Sequence, residues 1–82
     1  MSSDLSKEKK LEILNNLLMS AKEQKYSIII NAQIANEIGN QKAVDQHQKI
    51  AAEAEKSIII LERKIKEMQN EIKKQSDNKD GN

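Results

Sequence analysis

His47 is the one histidine in the chain and the one side chain whose ordinary titration lies near neutrality. Work as a general base would require a nucleophile within reach and a third group to orient the ring. Asp45 stands two positions away, and residues two apart on a helix point to different sides. Metal ligation would draw on positions three or four residues further on, and these hold Ile50 and Ala51. Glu53 and Glu55 have the look of a carboxylate pair, but their spacing of two keeps them off a common helix face. A solvated surface accounts for both. The chain has no Cys, which removes thiolate nucleophiles, zinc-thiolate sites and disulfides. Glycine-rich phosphate loops, metalloprotease helix motifs and calcium loops are absent from the sequence as well. Neither catalysis nor a metal or cofactor is expected. His47 reads instead as a polar residue in the seam between helices.

That seam is the strongest pattern in the sequence. From Val44 the apolar or small positions run through His47, Ala51, Ala54, Ile58, Leu61, Ile65, Met68 and Ile72. The gaps alternate three and four, a heptad repeat. An earlier track reads Leu11, Leu14, Leu18, Ala21, Lys25, Ile28, Ala32 and Ala35, with Leu17 and Ile38 widening its face. Lys25 interrupts this track, although its aliphatic stem can lie along a seam while the ammonium reaches water. The chain has no Pro, a single aromatic in Tyr26, and Gly only at positions 39 and 81. Its β-branched residues are nearly all Ile at helical spacing, so the expected class is all-α.

Gly39-Asn40 is the one strong break in the middle of the chain. Gly suits the left-handed position just past a helix end, and Asn tolerates it. The expected organisation is one domain: a frayed N-terminus over 1–5, helix 1 over 6–38, a turn over 39–41, helix 2 over 42–74 and a disordered tail over 75–82. Asp4 or Ser6 can cap the first helix. Lys73 and Lys74 complement the end of the second, and Glu62 with Lys66 makes a favourable pair four apart. A short connection makes the two helices antiparallel.

Folding back at Gly39-Asn40 brings together positions that add to about 79, and the two tracks then coincide. Leu11 meets Met68, Leu14 meets Ile65, Leu18 meets Leu61 and Ala35 meets Val44. Ala21 faces Ile58, Ile28 faces Ala51, Ala32 leaves room for His47, and Lys25 faces Ala54. Small opposite large keeps the helix spacing even. The alternative is a parallel coiled coil, in which Ile58, Ile65 and Ile72 at a positions with Leu61 and Met68 at d positions pair with an identical chain. Its flanks lack complementary charge, and a continuous helix through Gly39 would exceed about 100 Å.

Seven large side chains point away from the hairpin seam: Met19, Tyr26, Ile30, Ile34, Ile50, Ile59 and Ile60. Leaving each exposed forgoes roughly 1.5–3 kcal/mol of burial. These residues are therefore the expected partner-binding or oligomer interface, most simply in a dimeric four-helix bundle. The turn half is also poor in charge. From Tyr26 to Asn36 there is none, and amides stand in its place. Charge depletion marks interface cores, so Asn31, Gln33, Asn36, Asn40 and Gln41 are the expected contact surface at the turn end.

Net charge is +1 with 33% of residues charged, a balanced and solvated surface. Basic residues gather at the open end of the hairpin: Lys7, Lys9, Lys10, Arg63, Lys64, Lys66, Lys73 and Lys74. Glu8, Glu12, Glu62, Glu67 and Glu71 are mixed among them. Phosphate binding favours less interleaved acid, and stacking on bases would need aromatics, so nucleic-acid association stays an alternative. The longest apolar run, Ile58 to Leu61, is far too short to span a membrane. A signal peptide is not evident, and a cytoplasmic setting is expected. The expected role is a non-catalytic helical interaction module that self-associates and binds, recruits or blocks a protein partner of unknown identity. Phage-type inhibitors and assembly factors offer an analogy of size and class. A structural component of a larger assembly is the other alternative.

Overall fold

The computed structural model describes residues 4–80, with side chains through 75. It consists of two long helices, α1 (Lys7–Glu37) and α2 (Gln41–Asp80), folded into an antiparallel hairpin. The hairpin, not the continuous helix, is the form the chain adopts.

Each helix end follows from its local sequence. Ser6 is the N-cap of α1, and its hydroxyl accepts a hydrogen bond from the Lys9 N–H at 3.1 Å. At the other end Gly39 takes φ +77°. The Gly39 N–H donates to the Asn36 carbonyl at 3.1 Å and the Asn40 N–H to the Ala35 carbonyl at 2.9 Å. This nested pair is the Schellman arrangement, which needs a left-handed residue where Gly39 stands. Asn40 then opens the second helix: its Oδ1 accepts from the Ala43 N–H and its carbonyl from the Val44 N–H, both at 3.1 Å. One residue thus closes α1 and caps α2, which keeps the turn short.

α2 continues to Asp80, past the expected end at Lys74. Gln75 to Asp80 contains no Gly or Pro to stop a helix, and polarity alone does not end one. The remainder of the tail, 81–82, and the first three residues of the expected frayed N-terminus lie outside the described residues.

Every residue of the two heptad tracks is at least partly covered. Ala35, Val44, Ile58 and Ile65 are the buried core. Among the described residues two ion pairs cross between the helices and confirm the register, Lys25 with Glu55 and Lys7 with Glu71 at 3.7 Å. Their positions add to 80 and 78, bracketing the mirror value read from the sequence. Leu17 and Ile38 differ from expectation. They flank the seam but stay 51% and 73% exposed, because with two helices nothing lies above the flank. The expected Glu62–Lys66 pair is not among the ion pairs of the described residues. The pairs along a helix are Lys9–Glu12 at 2.5 Å and Glu53–Lys56 at 3.4 Å.

Candidate interaction surface

The Cα trace measures 65 × 27 × 13 Å. The smallest dimension is about one helix diameter, so the hairpin is a single layer with two open faces. No large side chain among the described residues is completely enclosed. The helices differ in how they meet this limit. α2 concentrates its apolar residues along the seam, whereas α1 spreads them around its circumference.

The grooves between the helices show which residues share a face. On one face, at the open end, Lys10, Ile13, Lys64 and Glu67 flank the seam residues Leu14 and Met68. On the other face, Lys22, Tyr26, Ile29, Glu55 and Glu62 flank Lys25 and Ile58. That second face continues toward the turn through Gln33, Asn36 and Gln48 around His47. Seven-residue steps along each helix carry these assignments outward. Leu17, Ile34, Ile38, Ile50 and Ile60 fall on the first face. Met19 falls on the second, as does Ile59, which lies four residues from Glu55 and three from Glu62.

The seven residues expected at an interface therefore do not form one patch. Ile34, Ile50 and Ile60 lie on the first face, Met19, Tyr26 and Ile59 on the second. Ile30 sits on the back of α1, furthest from the seam. Six of the seven are exposed, by 43% at Ile60 to 67% at Tyr26. Ile30 is partly covered, consistent with Tyr26 and Ile34 one turn away on either side. Ile13, Leu17, Ile29 and Ile38 are also exposed and were not in that set. The signal that finds them is their position beside a seam residue, which covers only the side they do not present.

At the turn end Asn31, Gln33, Asn36, Asn40 and Gln41 are all exposed. Two have structural work: Asn40 caps α2, and the Gln41 side-chain amide donates to Asp45 Oδ1 at 3.0 Å. Gln33 and Asn36 border the groove around His47, together with Ile29, Ala32, Val44, Gln48 and Ala51. No carboxylate or nucleophile lines that groove, and His47 sits in the seam as a polar packing residue. The described residues hold no cluster of His, Cys, Asp or Glu suited to a metal ion.

Glu55 carries a role that its sequence context hid. Its Oε1 accepts from Lys25 Nζ across the hairpin, which closes the one charged gap in the first heptad track. At the open end Lys7 pairs with Glu71 and Lys9 with Glu12, so part of the basic cluster is neutralised in place. No described helix is long and apolar enough to cross a membrane.

The molecule defined by these features is a two-helix antiparallel hairpin with apolar side chains on both faces. Neither a family model, nor a curated protein, nor a solved structure matches this chain.

Proposed function

We propose that the chain is a non-catalytic helical interaction module that self-associates, most simply as a dimer of hairpins, and presents its remaining exposed face to a protein partner. The supporting observation is the balance of burial in a single layer. Among the described residues, four are buried in the core, while eleven large apolar side chains remain exposed. A free surface of that character favours association, and a chain of 82 residues without disulfides gains stability from a partner. Recruiting, blocking and scaffolding roles all use such a surface.

Sedimentation equilibrium of the purified chain tests the reading. The expected result is a mass above that of the 9.3 kDa chain, shifting toward the monomer on dilution. A fully helical, dilution-resistant monomer would contradict the proposal.

A further inference from the structure

We propose that the face bearing Ile13, Leu17, Ile34, Ile38, Ile50 and Ile60 binds a second copy of this chain head to tail, so that the turn-end apolar cluster of each hairpin covers the open-end cluster of the other. The inference rests on the self-association reading and adds the face, the symmetry and the contacts.

The two faces differ in where their charge lies. Between Ile13 and Ile38 this face of α1 carries no charged residue. The opposite face carries Lys22, Glu55 and Glu62 at its middle, around Tyr26. Burying unpaired charge is costly, whereas amides and hydroxyls can exchange hydrogen bonds across an interface. On the first face the charges of the overlap, Glu53, Lys64 and Glu67, lie on α2, so the charge-free α1 half is the part that can be buried.

The order of residues along this face is self-complementary. On α1, Ile13 and Leu17 stand at one end and Ile34 and Ile38 at the other, with Ser20, Gln24, Ser27 and Asn31 between them. Antiparallel pairing of positions that add to 51 sets Ile13 on Ile38 of the second copy and Leu17 on Ile34. It also sets Ser20 on Asn31 and Gln24 on Ser27. On α2, Ile50 and Ile60 enclose Glu53 and Ser57, and Ile50 pairs with Ile60 of the second copy. Glu53, paired with Lys56 at 3.4 Å, comes opposite Ser57 of the second copy.

The two patterns share a centre. That of α1 lies between Lys25 and Tyr26, and that of α2 lies at Glu55. The hairpin places these side by side, as the Lys25–Glu55 ion pair records. One two-fold axis lying between the two faces, perpendicular to both helices at that level, relates both patterns at once, as an isologous dimer requires. A two-fold axis along the hairpin, with both turns at one end, would instead lay Leu17 near Lys64 and Ile13 near Glu67 of the second copy. The head-to-tail overlap spans about 38 Å along a face roughly 20 Å wide. This is close to the ~800 Å² per partner of a standard stable interface.

The natural absence of Cys makes disulfide trapping a direct test. Ser20→Cys and Asn31→Cys alter exposed polar positions only. When the two variants are mixed and mildly oxidised, a covalent heterodimer is expected. Neither variant alone should give one, because each residue and its own copy lie eleven residues apart along the paired helices, about 16 Å. In sedimentation, Ile34→Asp should abolish the dimer and Tyr26→Asp should leave it intact. A non-covalent dimer that fails to cross-link in the mixture, or that is lost in Tyr26→Asp, overturns this geometry and leaves self-association standing. A monomer at every concentration overturns both.

Discussion

Gly39 and Asn40 set the turn by different means. Gly39 holds φ +77°, and a Cβ placed there would meet nothing within 4 Å. Gly39→Ala therefore costs only backbone strain, about 1–2 kcal/mol, expected as a lower urea midpoint at constant helix content. Asn40 supplies a side-chain acceptor to the first turn of α2. Asn40→Ala should cost about 1 kcal/mol by the same measurement, with Asn40→Asp retaining most of the stability. The Lys25–Glu55 pair is different in kind. Its side chains remain 32% and 45% exposed, and water screens an interaction of that type. A double-mutant cycle on the two residues should return a coupling under about 1 kcal/mol. Glu55 was not legible in advance because the mirror relation placed Ala54, its neighbour, opposite Lys25. A long flexible side chain reaches an adjacent position that heptad bookkeeping does not resolve.

Along each helix, neighbouring identical residues have opposite fates. Ile58 is 5% exposed and Ile59 56%, because successive residues on a helix turn by about 100°. Ile58→Ala should cost at least about 2 kcal/mol, whereas Ile59→Ala should change stability by less than about 0.5 kcal/mol. Urea unfolding followed at 222 nm measures both. α2 was legible almost completely as a seam, since its apolar residues lie along a single stripe. The far end was not: Gln75 to Asp80 is polar and aperiodic, yet it continues the helix. Periodicity reports where a helix packs, and a helix can run beyond its packing. α1 was legible only on its seam side. Its other apolar residues lie on several sides, and periodicity does not say which of those sides a partner covers.

For the whole molecule, the hairpin brings the start of α1 beside the latter part of α2, where Lys7 meets Glu71 at 3.7 Å. Spin labels placed at these two positions should report a separation within about 20 Å, against roughly 96 Å along a continuous helix of the same residues. The short distance should persist on dilution, because it is made within one chain. The proposed assembly of hairpins, in contrast, should dissociate on dilution. The molecule is one layer thick, and that single dimension explains why the surface is so apolar. Two helices can cover one stripe each, and α1 carries more apolar residues than a stripe can hold.

By itself the sequence determined that the chain is helical, that it carries two seams, where it turns and how the seams register. Each of these follows from short-range regularities: heptad spacing, a glycine at a helix end and the mirror relation about it. Tertiary structure decided how deeply those seams are covered and how the off-seam residues are shared between faces. The seven side chains expected to act together were separated into Ile34, Ile50 and Ile60 on one side and Met19, Tyr26 and Ile59 on the other. That division depends on how each helix is rotated against its neighbour, a property of the pair that neither helix contains alone.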